Sequence, residues 1–271
     1  MTLAVPKVAA RKPPAAGKTR RVALGAVVPL LLLAGWQWAA ASGVYSAAQL
    51  PPPAEVVSAL RELVGRGELW HHIAISTQRV VIGFVIGSAL GLALGGLVGL
   101  SRTASDALTP TIQAVRAVPS LAWVPLLLLW LGIGETPKIV LVAIGAFFPV
   151  YTTVSAALAH IDPHLVEVGR AYGRRGLGLL GSVLFPAATP AILSGLRLGL
   201  AQGWLFLVAA ELIASSMGLG FLLIDSQNTG RTDIMLLAII LLAVIGKLCD
   251  TVLGVVERGI LHNSGRGTSS G

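Results

Sequence analysis

Two short groups of residues have the types that bind nucleotides or metals, but neither completes a site. Gly17-Lys18-Thr19 could end a phosphate-binding loop, but the full motif needs a glycine at position 12, which is Lys12. His160 and His164 are four residues apart, as metal ligands on a helix would be, yet Pro163 interrupts them and no carboxylate pattern completes the site. The sequence therefore predicts no nucleotide site, no metal centre and no cofactor, and it contains no residue cluster for covalent chemistry.

Polar residues inside apolar stretches form the second class of candidates. Glu211 lies in the apolar run 208–214, where a carboxylate is costly and marks a functional candidate by default. The sequence favours a structural hydrogen bond or exposure at the membrane interface over a place on a solute path, where Glu211 would need a partner such as Arg79 or Arg197. The candidates for a translocation path are Ser120, Ser155, Gln202 and Glu211.

The elements that must position these residues are membrane helices, because the composition excludes a soluble globule. Of 271 residues, 55% are hydrophobic and 12% are charged, whereas soluble domains carry about 25% charged residues. The mean hydropathy is +0.81. The net charge of +8 does not indicate nucleic-acid binding, because six basic residues are concentrated before position 22, ahead of an apolar run. Cys249 is the single cysteine, so no intrachain disulfide can form.

Six apolar stretches are expected to cross the membrane, each helix needing about 20 residues. The first could instead be a signal peptide, but it is longer than a signal h-region of about 7–15 residues, so an uncleaved helix is favoured. The third is expected to begin earlier, on the amphipathic segment 108–118. The six are approximately 22–41, 80–100, 121–133, 139–158, 191–213 and 234–256.

Basic residues predict the orientation of these spans. With the N-terminus inside, thirteen lie in cytoplasmic segments and four in external ones, which supports two cytoplasmic termini. Lys247 and Asp250, three residues apart in the sixth span, are expected to neutralise each other. The thirteen are Lys7, Arg11, Lys12, Lys18, Arg20, Arg21, Arg102, Arg116, Arg170, Arg174, Arg175, Arg258 and Arg266, and the four are Arg61, Arg66, Lys138 and Arg231.

Glycines recur at every fourth position in two spans. Such stripes let helices approach until their backbones touch, which stabilises packing in lipid. They predict tight packing inside the bundle rather than a ligand groove. The stripes are Gly83, Gly87, Gly91, Gly95 and Gly99 in the second span and Gly195, Gly199 and Gly203 in the fifth.

The loop between the fourth and fifth spans is predicted to contain a short, capped, amphipathic helix. Asp162 can cap the helix start and Pro163 suits the first turn. Gly173 suits the left-handed backbone conformation that commonly ends a helix. One face carries Leu165, Val168, Gly169 and Tyr172, while Glu167 and Arg170 lie on another. Such a helix either lies on the lipid surface or docks into a groove on a soluble partner, and composition favours neither.

The same loop resembles the EAA loop of type-1 ABC import permeases. That pattern is Glu-Ala-Ala, three residues, Gly, nine residues, then Ile-x-Leu-Pro, and Glu167, Gly173 and Pro186 match it in identity and spacing. Val168 and Gly169 replace the two alanines. The resemblance covers about residues 70–260, and segments such as 118–125, 145–151 and 210–214 are similar to the aliphatic-sulfonate, taurine and nitrate branch, most of all to sulfonate permeases.

This resemblance implies an all-α, type-1 ABC importer fold with six transmembrane helices in a bacterial plasma (inner) membrane. It further implies a homodimer, two cytoplasmic ATPase subunits and an extracytoplasmic substrate-binding protein, with no nucleic acid as partner and no enzymatic activity in this chain. The expected substrates are small organosulfonates such as alkanesulfonates or taurine. The ATPase would contact the coupling helix through Asp162, Leu165, Glu167, Gly169, Arg170, Tyr172 and Gly173, with Pro186 beyond it.

The remaining alternatives are a permease for nitrate or another small anion and a stand-alone secondary transporter. The latter would show paired repeats with a broken helix at the midplane, and the sequence has no convincing duplication. The expected domain organisation is a basic cytoplasmic tail over 1–21, the first transmembrane helix with an external loop over 22–70, the permease core over 71–260, and a cytoplasmic tail over 261–271.

Overall fold

The computed structural model describes residues 18–119 and 122–266, which fall into two compact units divided after Glu55. The first unit contains α1 (Lys18–Ala41), an apolar helix with Pro29 inside it, and the turns that follow. The indole Nε1 of Trp36 donates a hydrogen bond of 3.0 Å to the carbonyl oxygen of Pro51, which fixes the returning chain against the helix. Helix α2 (Pro53–Gly65) begins at the end of this unit.

The second unit is built from helices joined by short turns. After α2 the order is α3 (Glu68–Leu100), α4 (Arg102–Ala117), α5 (Trp123–Leu131), α6 (Glu135–Ala159), α7 (Pro163–Ala171), α8 (Gly176–Leu179), a π-helical turn (Leu180–Leu184), α9 (Phe185–Ala214), α10 (Leu219–Asn228) and α11 (Thr232–Arg266). The regular elements of the described residues are therefore all helical, as the sequence predicts.

Four helices among the described residues are long and apolar enough to cross a membrane. They are Glu68–Leu100, Glu135–Ala159, Leu180–Ile213 and Thr232–Leu261, and Gly25–Ala41 is a shorter apolar helix. They contain the expected second, fourth, fifth and sixth spans, each extended beyond at least one of its predicted limits. The chain is thus a multi-pass membrane protein.

The expected third span is divided between two helices. Helix α5 has 9 residues, so at 1.5 Å per residue it covers about 14 Å, less than half of a hydrocarbon core about 30 Å thick. The break before it follows from Pro119, because the residue before a proline avoids helical geometry, and Val118 is extended with ψ 125°. Positions 108–117 lie in α4 and the helix ends before Val118, so the segment expected to begin this span is a separate helix and not its continuous start.

Helix α6 is the centre of the second unit, because the glycine stripes of α3 and α9 both pack on it. A Cβ at Gly83 would lie 2.6 Å from Val142, one at Gly91 2.9 Å from Val150, and one at Gly199 2.9 Å from Val150. Real Cβ atoms do not approach so closely, so only glycine permits these helix distances. The predicted interior packing of both stripes is confirmed, and Val142 and Val150 are fully buried between them.

Candidate functional site

The loop helix predicted from the sequence is α7, and its ends form as its capping residues predict. The Asp162 carboxylate accepts a hydrogen bond of 2.9 Å from the His164 amide, and Pro163 occupies the first turn. Gly173 has φ +76°, a conformation that L side chains rarely adopt. The amides of Gly173 and Arg174 donate back to the carbonyls of Arg170 and Gly169, at 2.9 and 3.0 Å, which closes the helix end with a Schellman motif.

Gly169 is the buried residue of α7 and packs against the rest of the bundle. It is buried, and a Cβ there would lie 2.6 Å from a methyl group of Leu179 and 2.9 Å from one of Val183. Those two residues belong to α8 and the π-helical turn, which lead directly into α9. The backbone of α7 therefore rests on the start of a membrane-spanning helix.

Three large side chains of α7 and its C-terminal cap are exposed. Leu165 is 47% exposed, Val168 55% and Tyr172 83%, and together with Val183 they border an open cavity of about 560 Å³. Glu167 is exposed and lies 3.8 Å from His164, rather than forming an ion pair with Arg170. We call Leu165, Val168 and Tyr172 the α7 face.

An ionic cluster with one exposed member, Glu135, joins α3, α6 and α9 at one end of the bundle. The guanidinium of Arg79 donates to Glu135 and to Glu211, both at 2.6 Å, and Lys138 donates to Glu135 at 3.0 Å. Arg79 and Lys138 are almost completely buried and Glu211 is fully buried. Two cations face two carboxylates, so the cluster is electrically balanced.

Glu211 also fixes the turn between α9 and α10. Its carboxylate accepts hydrogen bonds of 2.8 Å from the Ser76 hydroxyl and from the Gly220 amide. The carbonyl of Met217 accepts from Arg79 at 2.6 Å. Glu211 has no exposed surface, so it makes the structural hydrogen bonds that the sequence favoured, with Arg79 as its charged partner.

A second ionic cluster joins α9 to α11. Arg197 donates to Asp250 at 2.7 Å and to Glu257 at 3.1 Å, and Lys247 donates to Asp250 at 3.0 Å. The expected neutralisation of Lys247 by Asp250 is confirmed, although the distance from Arg197 to Asp250 is shorter than that from Lys247.

A third cluster joins α2 to the turn before α11. Arg231 donates to Glu62 and to Asp233, both at 2.8 Å. The hydrogen bond from Arg231 lowers the pKa of the Glu62 carboxyl, and the bonds to Asp233 and Glu62 raise the pKa of Arg231.

The three candidates for a translocation path that the structure describes do not share a cavity. Gln202 borders a cavity of about 370 Å³ between α4, α5, α6 and α9, and Ser155 borders a second of about 270 Å³ between α3, α4 and α6. Glu211 lines neither cavity, and Ser120 lies outside the described residues, as do Gly17 and the basic residues before it. The assignment of Gln202 and Ser155 to a path stays a prediction.

Sequence reasoning did not single out Arg116, Glu135 or Ser76. The pairings of Glu135 with Arg79 and of Ser76 with Glu211 gave no local signal, since these residues are 56 and 135 positions apart, although Glu135 also pairs with Lys138 three positions on. Arg116 was grouped with the cytoplasmic charges, yet it lines both cavities. The available signal was a set of polar residues with helical spacing on α4: Ser105, Thr109, Gln113 and Arg116.

Comparison with known proteins agrees with the loop motif. Residues 83–262 match the family described as binding-protein-dependent transport system inner membrane component. The chain is 41% identical to the putative aliphatic sulfonates transport permease protein SsuC of Bacillus subtilis over 237 residues, covering 88% of this chain and 86% of that one. It is 44% identical to the protein of the same description from Escherichia coli over 231 residues, covering 85% and 88%.

The fold agrees as well. The MetNI methionine ABC transporter, solved in an inward-facing conformation, superposes with a TM-score of 0.56 at 24% identity, covering 73% of this chain and 96% of that one. The family match spans more than half of the chain, and its relatives are transport components that work with a separate ATPase. The protein therefore belongs to the binding-protein-dependent transport system inner membrane components and is a non-enzymatic permease subunit of an ABC importer.

Proposed function

We propose that this permease translocates small organosulfonates, such as alkanesulfonates or taurine. The observation that carries the proposal is the 41% and 44% identity to two permeases described as transporting aliphatic sulfonates, each over at least 85% of this chain. Import of nitrate or another small anion is the alternative, and the relatives do not favour it.

The α7 face is the proposed contact for the ATPase. Three apolar side chains on a helix outside the spans expose about half or more of their surface, which suits insertion into a groove on a soluble partner. Because Gly169 lies against Leu179 and Val183, a displacement of α7 is transmitted to the start of α9. Closure of two ATPase subunits could thus move the bundle of a homodimer, with an extracytoplasmic binding protein delivering the substrate on the other side.

The proposed orientation places both termini and α7 in the cytoplasm of a bacterial plasma membrane. It is supported by the basic residues of the sequence: leaving out Arg116, which lines two cavities, twelve fall in segments assigned to the cytoplasm and four in external ones. Reporter fusions after residues 45 and 268 should report opposite sides of the membrane. Reports from the same side would contradict this topology.

The substrate is tested by growth and uptake. The chain, expressed with its ATPase and binding protein in a strain lacking its own sulfonate and taurine importers, should restore growth on alkanesulfonate or taurine as sole sulfur source. A matched strain lacking nitrate import, supplied with nitrate as sole nitrogen source, should not be rescued. Rescue on nitrate alone would overturn the sulfonate assignment.

A further inference from the structure

Arg116 differs from the other arginines that border the interior of the bundle. Arg79, Arg197 and Arg231 each donate hydrogen bonds to two carboxylates. Arg116 forms no ion pair or side-chain hydrogen bond with any described residue, and its side chain is exposed. Its five N–H donors are therefore free for a ligand.

Two cavities of the bundle have Arg116 as their single charged lining residue among the described residues. The larger cavity, of about 370 Å³, and the smaller, of about 270 Å³, share Arg116 and Thr152. Within residues 18–119 and 122–266, no carboxylate lines either cavity. The two spaces therefore adjoin at one uncompensated positive charge.

The larger cavity supplies a second polar donor and an apolar wall. The exposed amide of Gln202 lines it, and its described surroundings give this amide no hydrogen-bond partner. The hydroxyl of Thr152 instead donates to the Phe148 carbonyl at 2.8 Å, so its proton is already used. Trp123, Phe148 and Phe206 provide aromatic surface on the same cavity.

The smaller cavity continues this polar surface along one face of α4. The positions of this face follow helical spacing, which places them in one row ending at Arg116. They are Ser105, Thr109, Ile112, Gln113 and Arg116. A solute passing between the two cavities would pass the guanidinium group.

We infer that Arg116 is the selectivity residue of the translocation path and binds the anionic head group of the substrate during passage. A sulfonate presents three acceptor oxygens and one negative charge, which suit the planar fork of a guanidinium group. Gln202 donates to the same head group, and the aromatic wall contacts the alkyl chain. The inference rests on the proposed function and specifies which residues of this chain recognise the sulfonate.

Uptake by the complete transporter tests the inference. Cells carrying the permease, its ATPase and its binding protein are supplied with radiolabelled ethanesulfonate or butanesulfonate. Arg116→Gln removes the charge and should lower uptake about tenfold or more, as expected for loss of a hydrogen bond to a charged group. Arg116→Lys keeps the charge but loses the planar fork, so its uptake should fall between that of wild type and that of Arg116→Gln.

A matched control and a second variant separate recognition from folding. Arg102→Gln removes an exposed arginine of α4 that lines neither cavity, and it should transport as wild type does. Membrane level and ATPase co-purification should be unchanged in every variant. If Arg116→Gln is poorly inserted, Gln202→Glu places a repelling charge at an exposed position of the same cavity and should lower uptake by a similar factor.

The outcomes distinguish the inference from the proposed function. Wild-type uptake of neither sulfonate would overturn the proposed function and the inference with it. Wild-type uptake that Arg116→Gln leaves intact would overturn the inference alone. Equal impairment of Arg116→Lys and Arg116→Gln would also overturn it, because the positive charge would then not be the recognised feature.

Discussion

The α3–α6–α9 core and the α7 loop are built from the same residue types, with opposite exposure. In the core, Val142 and Val150 are fully buried against glycine backbones. On α7, Val168 and Tyr172 are 55% and 83% exposed, and Gly169 is the buried position. The core therefore finds its apolar partners within the chain, whereas the α7 face does not.

Charged residues show the same contrast. Glu211 is fully buried and bonded to Arg79, Ser76 and the Gly220 amide, while Glu167 is exposed beside His164. A carboxylate with buried partners contributes to the stability of the fold, because removing it leaves those partners unsatisfied. An exposed carboxylate on a loop helix is free to interact with another molecule.

The largest expected effect is on the buried carboxylate. Glu211→Ala leaves Arg79, Ser76 and a backbone amide short of a partner and should destabilise the protein by about 3 kcal/mol. Thermal unfolding of the detergent-purified protein measures it. Glu167→Ala is the matched control on α7 and should change stability by less than about 0.5 kcal/mol, as for exposed side chains in general. Equal losses in the two variants would remove the contrast between the two regions.

The next effect is on helix packing. In Gly91→Leu the new side chain would meet Val150 and the Phe147 carbonyl within about 3 Å, which should cost about 2 kcal/mol and reduce the amount of folded protein. Gly96→Leu lies on the same helix with nothing within 4 Å of its Cβ and should be tolerated. Size-exclusion profiles of both variants measure the amount of folded protein. A normal profile for Gly91→Leu would show that α3 and α6 separate easily.

At the end of α7 we expect the smallest effect on stability. The effect on ATPase association and on transport is expected to be large. Gly173→Val forces a β-branched residue to φ +76°, at a cost of about 1–2 kcal/mol, so the helix end is expected to rearrange. The protein should still insert into the membrane, while the ATPase is lost during co-purification and uptake stops. Gly178→Val is the control, because Gly178 has no positive φ and nothing within 4 Å.

The two interpretations of α7 give different results in this experiment. If the α7 face lies on lipid, ATPase association is near normal in both Gly173→Val and Gly178→Val. Undiminished retention of the ATPase by Gly173→Val would therefore exclude docking through α7. Glu167→Ala should weaken retention only mildly, because it removes one polar contact without moving the backbone.

Local interactions explain why α7 was predictable from the sequence. An N-terminal cap involves residues two or three positions apart, and a C-terminal end in the left-handed conformation involves one glycine. Asp162, Pro163 and Gly173 therefore determine the helix without the rest of the fold. The glycine stripes were predictable for a similar reason, since glycine at every fourth position leaves one face of a helix without side chains, whichever helix it packs against.

Composition and periodicity by themselves determined that the chain is a multi-pass helical membrane protein with a capped loop helix, because these properties depend on neighbouring residues. The tertiary structure decided which arginine pairs with Glu211, for Arg79 and Arg197 were equal candidates and lie on different helices. It also decided that Arg116 faces the two cavities rather than serving only as a flanking charge. The direction of a side chain follows from how its helix is rotated against its neighbours, and that rotation is fixed by packing contacts between residues far apart in the chain.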